Sequence, residues 1–277
     1  MTLGEMRQIL DAAGLRLTRS LGQNFLHDGN QLRRIVALAR VQPGSQVLEI
    51  GPGLGPLTEV LLAAGARVRA IEKDARLAPI LQERLGSHPH FELIVADALE
   101  WLSHPATLEP DWQVVANLPY SVGSRLLVEL TSLPHPPTSM TVTLQTEVVD
   151  RIRASAGSQE YGVLTLLLAR LYEPSSSFRI PASCFFPAPD VESSCVRLDR
   201  RDPPLVASER AADFAVLVKL AFSQRRKRVQ KLLAQRWPNQ VLAEAWERLG
   251  ISPDARAEEL SADTFAQLTR ALGTHRA

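Results

Sequence analysis

The stretch of sequence that decides the fold is residues 47–56, which read Val47-Leu48-Glu49-Ile50-Gly51-Pro52-Gly53-Leu54-Gly55-Pro56. A short, mainly apolar run typical of a buried strand leads directly into a loop in which every second residue is glycine. Because glycine has no Cβ, such a loop lets a ligand approach the backbone closely. A helix is predicted from about residue 57 to residue 64. A strand, a glycine loop and a helix in this order open a nucleotide-binding βαβ unit.

Three further predicted strands each end in a polar residue. A strand at 67–71 is followed by Glu72, which lies 21 residues after Gly51, the spacing at which an acidic side chain reaches ribose hydroxyls. A strand at 91–95 is followed by Asp97, and a strand at 114–116 by Asn117. The carboxyl ends of strands in a doubly wound sheet border one crevice. We therefore expect Gly51, Glu72, Asp97 and Asn117 to lie side by side along it.

The last of these strands leaves the sheet through Asn117-Leu118-Pro119-Tyr120. Pro119 has no N–H and a fixed φ, so the strand cannot continue through it. An amide oxygen, nearby backbone carbonyls and an aromatic ring can together hold a planar base by its exocyclic amine. The same four residues also fit an ordinary strand end followed by a turn, so the rest of the chain has to decide between the two interpretations.

The glycine spacing distinguishes between nucleotide cofactors. A dinucleotide fingerprint requires G-x-G-x-x-G, whereas here Gly55 comes one position early and Pro56 takes the place of the third glycine. No Gly-Lys-Ser/Thr follows, which excludes a triphosphate P-loop. Glu49, just before the loop, disfavours a pyrophosphate and suits a cofactor that carries an ammonium group. These residues favour S-adenosylmethionine, with a nicotinamide dinucleotide as the alternative.

The alternation of strands and helices continues beyond residue 120 and then stops. Helices are predicted at 123–132, 147–154 and 162–171, and strands at 140–145, 175–180 and 195–198, the last two as a closing antiparallel pair. Residues 200–204 have the composition of a linker, and the pattern after them is helical. We predict an α/β, Rossmann-like domain with helices on both faces of its sheet at 1–202, including a helical lead-in at 1–40. A small all-α domain is predicted at 203–277.

Composition excludes several classes of protein. The 277 residues contain no apolar signal-like segment at the start and no apolar run long enough to span a membrane. Cys184 and Cys195 have no metal-ligand spacing, and the six histidines are scattered. We therefore expect no metal site, and buried thiols in a reducing cytoplasm.

The net charge of +1 hides an uneven distribution. Residues 203–236 hold eight Lys and Arg against two Asp and Glu, a difference of +6. Arg225-Arg226-Lys227-Arg228, with Lys231 one helical turn further on, predicts a basic helix face. Such a face is usually a solvated surface. Beside a nucleotide-type site it favours phosphate contacts, which supply affinity but no sequence choice.

Several motifs occur in order along the chain, and together they resemble those of one family. They are Gln23-Asn24-Phe25-Leu26, Glu49-Ile50-Gly51-Pro52-Gly53, Glu72, Asp97-Ala98, Asn117-Leu118-Pro119-Tyr120, Phe185-x-Pro187-x-Pro189-x-Val191-x-Ser193 and Phe222-x-Gln224-Arg225-Arg226-Lys227. This combination resembles the ribosomal RNA small-subunit adenine N6-dimethyltransferases, the kasugamycin-sensitivity methyltransferase family, from about residue 15 to about residue 235. The departures are small: Phe186 and Ala188 fill variable positions, and Glu192 replaces the usual Asp. The resemblance implies a class I methyltransferase sheet.

The resemblance also implies how S-adenosylmethionine would be bound. Gly51 and its loop would pass the methionine end, Glu72 would hold the ribose hydroxyls, and Asp97 would accept from the adenine amine. Asn24 and Leu26 would close over the cofactor from the N-terminal segment. Without a cofactor, Asn24 would be a helix cap and Asp97 a turn initiator. The predicted cofactor-binding residues are thus Asn24, Leu26, Gly51, Glu72, Asp97 and Asn117.

The predicted catalytic residues are Asn117, Leu118, Pro119, Tyr120 and Phe185. The Asn117 side-chain oxygen and a carbonyl of Leu118 or Pro119 would accept the two protons of an adenine N6, so that this nitrogen can pyramidalise toward the sulfonium methyl. Tyr120 and Phe185 would sandwich a base turned out of its stack. The alternative for Phe185 is core packing beside Phe186.

The function implied by the resemblance is transfer of methyl groups to N6 of two adjacent adenosines in the 3′-terminal hairpin loop of small-subunit (16S) rRNA, late in ribosome assembly. The implied protein is a cytoplasmic monomer whose partner is the small ribosomal subunit, with no membrane involved. Two alternatives remain. One is a large-subunit rRNA adenine N6-methyltransferase of the macrolide-resistance type, which shares the site. The other is a catalytically silent RNA-binding assembly factor, although the intact residues 117–120 and glycine loop argue against it.

Overall fold

The computed structural model describes residues 1–16, 23–104, 110–224 and 226–273. The strands in these ranges are β1 (Phe25–Leu26), β2 (Gln46–Ile50), β3 (Arg67–Glu72), β4 (Phe91–Val95), β5 (Gln113–Asn117), β6 (Ser139–Gln145), β7 (Tyr172–Ile180), β8 (Phe185–Phe186) and β9 (Ser193–Arg200). The α-helices are α1 (Leu3–Ala12), α2 (Gly29–Leu38), α3 (Pro56–Ala63), α4 (Ala78–Leu85), α5 (Ala98–Leu102), α6 (Gly123–Leu130), α7 (Thr146–Arg153), α8 (Val163–Ala169), α9 (Ala211–Ala221), α10 (Val229–Leu233), α11 (Asn239–Leu249) and α12 (Ala262–Leu272). Within the described ranges, none of the helices combines the length and apolar content needed to cross a bilayer.

A seven-stranded sheet in the order β4-β3-β2-β5-β6-β9-β7 confirms the predicted doubly wound α/β fold. The pairs β2–β3, β3–β4, β2–β5 and β5–β6 are parallel, and β9 runs antiparallel to β6. From β2 the chain first builds outward through β3 and β4, and then returns to the other side of β2 with β5 and β6. The order therefore reverses between β2 and β5, and open α/β sheets place their ligands outside such a point.

Burial on both faces explains why the central strands could be recognised. In β2, Val47, Leu48 and Ile50 are at most 3% exposed, and Val114 and Val115 of β5 are fully buried. Helices cover a parallel sheet on both sides, so its strands are near-continuous apolar runs and do not alternate between apolar and polar residues.

The chain forms two compact units whose limits differ from the predicted domains at residues 150–173 and at residues 200–202. The first comprises residues 1–149 and 174–199, and the second 150–173 and 200–277. Residues 150–173, predicted as part of the sheet domain, therefore belong to the helical unit. The physical reason is packing, because Tyr161 and Leu166 are buried in the same core as Phe214 of α9 and Phe265 of α12. An apolar helix such as α8 has the same sequence pattern whether it covers a sheet or other helices.

A short antiparallel pair, β1 with β8, was not predicted. Phe25 is opposite Phe186, and Leu26 is opposite Phe185. Side chains of successive strand residues point to opposite faces. Phe25 and Phe186 accordingly pack in the cluster that contains Leu54, whereas Leu26 and Phe185 pack in the core around the sheet. This pair fixes the segment that begins at residue 23 to the same unit as the glycine loop.

Candidate active site

A cavity lies at the carboxyl edge of the sheet, at the reversal between β2 and β5. Its empty space, including the mouth, is about 980 Å³, within the size range of small-molecule sites. The four strand ends predicted to lie together all line it. Together with the other predicted residues on its wall they are Asn24, Gly51, Glu72, Asp97, Asn117, Leu118, Pro119 and Tyr120.

The glycine loop is confined between two side chains. Gly53 has φ of +62°, and a Cβ built on it would lie 2.6 Å from Cε1 of Phe25. On its other side, the Gly53 N–H donates to Oε2 of Glu72 at 3.1 Å. A residue other than glycine would therefore be strained in its backbone and would displace the Phe25 ring. Because Gly53 has no Cβ, the loop backbone fits between Phe25 and Glu72.

Glu72 presents a buried carboxylate to the cavity. It is 6% exposed, and its Oε1 accepts from the Asp74 N–H at 2.8 Å. Burial raises the pKa of Glu72, while the N–H donors of Asp74 and Gly53 oppose that rise. An ionised carboxylate has about four acceptor positions. The N–H groups of Gly53, Asp74 and Lys73 use three of them, so acceptor capacity remains for a ribose hydroxyl.

Asp97 combines a structural role with acceptor capacity. Its Oδ1 accepts from the Leu99 N–H at 2.8 Å and so caps α5, and its Oδ2 pairs with Nζ of Lys73 at 2.8 Å. The Lys73 ammonium is the main cause of the lowered pKa of Asp97. The alternative role of Asp97 as a turn residue is thus present as well. Because a carboxylate accepts several hydrogen bonds, the cap leaves room for an amine donor.

Asn117 is held so that one of its polar atoms has no partner. Its Nδ2 donates to the backbone oxygen of Asn24 at 2.9 Å. This bond assigns the orientation of the amide, so Oδ1 is the other end. Oδ1 is buried and accepts no hydrogen bond from the residues that the structure describes. An unsatisfied buried acceptor costs about 1–3 kcal/mol, which is the kind of cost that a ligand donor removes.

The carbonyls that follow Asn117 are not equivalent. The Pro119 oxygen accepts from the N–H of Val122 at 3.2 Å and of Gly123 at 2.9 Å. A carbonyl oxygen has two lone pairs, so these two bonds at the start of α6 use its capacity. Of the two predicted backbone acceptors, Leu118 and Pro119, the geometry therefore favours Leu118.

Two predicted site residues, Leu26 and Phe185, do not line the cavity. Leu26 is 2% exposed and Phe185 3% exposed, and both pack in the core around the sheet. The strand alternation in β1 and β8 is the reason, since it turns these side chains away and places Phe25 on the cavity wall instead. The structure thus has Phe185 in its alternative role as a core residue, and the predicted two-ring sandwich is reduced to the ring of Tyr120.

Further residues border the cavity without having been predicted. Gln23 Nε2 donates to Oδ2 of Asp74 at 2.9 Å. The neighbouring Arg76 is the main reason that the pKa of Asp74 falls to about 2, so this carboxylate is ionised. Gln23 and Phe25 stand in a quoted motif, which was a usable signal for them. For Asp74 and Lys73 the sequence offered none.

Glu49 does not have the role that its position suggested. It is 1% exposed, is not on the cavity wall, and its Oε2 accepts from the Thr58 hydroxyl at 2.7 Å. Burial raises its pKa to about 8, assisted by the nearby Glu72 and opposed by Thr58. Burial thus favours the uncharged form of Glu49, and its side chain pairs with Thr58 and does not line the cavity. It links β2 to α3.

We expect Glu49→Gln to remove a pH dependence of stability. The folded pKa of about 8 lies above the usual 4.5, so between these values the folded state binds more protons than the unfolded state. The free energy of unfolding that Glu49 supports is thus fully present below pH 4.5 and is lost as the pH rises through 8. Urea unfolding of both proteins across this range should show a fall for the unsubstituted chain that the variant lacks. Parallel curves would contradict the assignment.

The basic residues of the helical unit do not form one helix face. Arg225 lies outside the described residues. Arg226, Lys227 and Arg228 are exposed in the turn before α10, and Lys231 is exposed on α10 itself. Arg228 pairs with Asp254 at 2.7 Å. The predicted face was wrong because the helix begins only at Val229.

The described residues contain no group of three His, Cys, Asp or Glu side chains arranged to hold a metal ion. Cys184 and Cys195 are free and buried, as predicted. Burial raises the pKa of the Cys195 thiol to about 12. A protonated thiol is a poor nucleophile, so Cys195 is not a candidate for nucleophilic catalysis.

The sequence of this chain is similar to that of known proteins over nearly its full length. The model of a family described as ribosomal RNA adenine dimethylase matches residues 14–273. A ribosomal RNA small subunit methyltransferase A from Cereibacter sphaeroides (strain ATCC 17025 / ATH 2.4.3) is 43% identical over 97% of this chain and 96% of its own. The protein of the same name from Geobacillus sp. (strain WCH70) is 38% identical over 98% and 97%.

Solved structures are similar over most of the chain. The 23S rRNA methyltransferase ErmE has a TM-score of 0.68 at 29% identity, covering 90% of this chain and 99% of that one. A dimethyladenosine transferase from Plasmodium falciparum has a TM-score of 0.75 at 23% identity, covering 88% and 95%. The second similarity supports the fold alone.

Proposed function

Because this chain belongs to the ribosomal RNA adenine dimethylase family, we propose that it methylates N6 of two adjacent adenosines in the 3′-terminal hairpin loop of small-subunit (16S) rRNA. S-adenosylmethionine is the methyl donor, the product of each adenosine is N6,N6-dimethyladenosine, and the reaction belongs to a late step of ribosome assembly. The observation that carries the proposal is the buried Oδ1 of Asn117, which has no hydrogen-bond partner among the described residues and belongs to a residue that lines the cavity at the reversal of the sheet.

The cavity wall suits the donor. Glu72 would hold the ribose hydroxyls, Asp97 would accept from the adenine amine, and the backbone at Gly51 would pass the methionine end. The segment at Asn24 would cover it. S-adenosylmethionine supplies an electrophilic sulfonium methyl, so no metal or covalent enzyme intermediate is required.

The chain acts on the target adenine through hydrogen-bond acceptors. The N6 lone pair of adenine is delocalised into the ring, which makes the amine a poor nucleophile. Oδ1 of Asn117 and the carbonyl of Leu118 would each accept one N6–H and favour the pyramidal nitrogen, whose lone pair is available. After one methyl transfer a single N6–H remains, and one acceptor still suffices to hold it. Positioning and fixed dipoles supply the rate enhancement.

Tyr120 holds the base by its face. Tyr120 lines the cavity beside Asn117, and stacking of a base on an aromatic ring contributes about 1–3 kcal/mol. A base can enter this cavity only after leaving its own stack, which is least costly in a loop or single strand. The acceptor is therefore expected in unpaired RNA.

Two alternatives are less well supported. ErmE, a 23S rRNA methyltransferase, is 29% identical to this chain, whereas small-subunit methyltransferases reach 43%. Small-subunit RNA is therefore the favoured substrate. A silent assembly factor would have no need of an unpartnered acceptor in a cavity of this composition.

Labelling of separated ribosomal subunits tests the proposal. Purified protein is incubated with methyl-labelled S-adenosylmethionine and either small or large subunits from cells that lack these methyl groups. Label should enter the small subunit only, and mass spectrometry of digested rRNA should find dimethyladenosine at two adjacent positions. Label in the large subunit alone would support the macrolide-resistance type, and no label with retained binding would support the silent factor.

The proposal extends to the setting in which the protein works. It acts as a monomer in the cytoplasm, with the small ribosomal subunit as partner and no membrane. The exposed Arg226, Lys227 and Lys231, with Arg225, would contact phosphates in a sequence-independent way.

A further inference from the structure

The ring of Tyr120 is held by a residue from a distant part of the chain. Its hydroxyl is hydrogen-bonded to that of Ser193, 73 residues further on, and either oxygen can be the donor. The hydroxyl is the only polar atom of a tyrosine side chain and lies at its far end. This bond therefore fixes the end of the ring that the backbone of Tyr120 does not fix.

The sheet explains how Ser193 reaches this position. β6 runs parallel to β5, so its last residue, Gln145, lies at the same edge of the sheet as Asn117. β9 runs antiparallel to β6 and begins there, with Ser193 opposite Gln145. The first residue of β9 therefore lies at the same edge of the sheet as the last residues of the parallel strands β5 and β6.

Ser193 is a rigid anchor. It is fully buried, and both of its neighbours are tied to the start of α7. The Glu192 oxygen accepts from the Thr146 N–H at 2.9 Å, and the Ser194 hydroxyl is hydrogen-bonded to that of Thr146 at 2.9 Å. Since successive strand side chains point to opposite faces, Ser193 and Ser194 serve different partners.

We propose that Ser193 is a positioning residue that holds the ring of Tyr120 ready to stack on the target base. This inference rests on the function proposed above. A ring fixed in advance loses little freedom when RNA binds, so more of the stacking energy appears as affinity. The proposal also assigns a role to the motif from Phe185 to Ser193, in which Phe185 itself is a core residue.

Kinetics on unmethylated small subunits test the proposal. Three variants remove the same hydrogen bond. Ser193→Ala deletes the serine hydroxyl, Tyr120→Phe deletes the tyrosine hydroxyl, and the double variant deletes both. Loss of one hydrogen bond should lower kcat/KM for the RNA about 2- to 10-fold, mainly through KM. The three variants should be equally impaired, because residues that act through one contact are not additive. The dissociation constant of S-adenosylmethionine should be unchanged.

Ser194→Ala is the matched control, since it removes an adjacent buried hydroxyl that binds Thr146 instead. It should leave the RNA kinetics of the protein unchanged. Losses that add in the double variant, or unaltered kinetics of Ser193→Ala, would overturn the proposal. If Ser193→Ala does not fold, unaltered kinetics of Tyr120→Phe would overturn it equally. Inactivity of the unsubstituted protein on small subunits would instead refute the proposed function.

Discussion

Asn117→Ala should lower kcat for methyl transfer about 100- to 1000-fold, the effect of removing one fixed polar group from a site that stabilises a transition state. The substitution deletes Oδ1, which is buried, has no hydrogen-bond partner among the described residues and is the proposed acceptor of an N6–H. It also deletes the donor to Asn24. Single-turnover transfer to small subunits, at saturating cofactor, measures the loss directly.

Cofactor binding separates this effect from a general collapse of the site. The dissociation constant of S-adenosylmethionine, measured by calorimetry, should change by less than about tenfold, because Glu72 and Asp97 remain. Asn30→Ala is a matched control, since it truncates an exposed asparagine of the same unit whose side-chain oxygen accepts from Arg33. Loss of cofactor binding in Asn117→Ala, with transfer restored at high cofactor concentration, would show that Asn117 belongs to the donor and not to the base.

Gly53→Ala should weaken both the fold and the binding of S-adenosylmethionine. A residue with a Cβ pays about 1–2 kcal/mol for the left-handed conformation, and φ here is +62°. The new methyl would lie 2.6 Å from Cε1 of the buried Phe25, and overpacking adds about 1–3 kcal/mol. Displacement of Phe25 moves the segment that lines the cavity, so we expect the dissociation constant to rise at least about tenfold.

Gly44→Ala isolates the backbone part of that cost. Its φ is +85°, and a Cβ there would meet no atom within 4 Å. Urea unfolding should show about 1–2 kcal/mol of destabilisation for this control, with cofactor affinity retained. Equal destabilisation in Gly44→Ala and Gly53→Ala would mean that the Phe25 ring gives way without cost.

The sheet could be predicted from the sequence because its physical signal is strong. Buried parallel strands are apolar runs, and each of the four that form the cavity edge is followed by a glycine loop or a polar residue. β1 and β8 were missed because two residues are too short to show a period. The place of residues 150–173 was missed because an apolar helix does not reveal its neighbours.

Side-chain direction is the part of the site that the sequence could not supply. Phe185 and Phe186 are adjacent aromatic residues, and only the register of β8 with β1 decides which of them faces the core. Glu49 precedes a glycine loop in the manner of a ligand-binding acid, yet the strand turns it toward Thr58. In both cases a shift by one residue changes the face, and a motif does not record the face.

The contact between the Asn24 oxygen and Asn117 Nδ2 has a consequence for engineering this enzyme. Without this partner the side-chain amide of Asn117 can rotate and exchange the positions of its oxygen and its NH2 group. The NH2 group would then face the adenine amine, which is itself a hydrogen-bond donor. A change that shifts residues 23–26 to admit a bulkier methyl donor could therefore replace the acceptor oxygen of Asn117 with its NH2 group at the nucleobase. With the proposed role of Asn117, donor tolerance and recognition of the adenine would thus depend on the same contact.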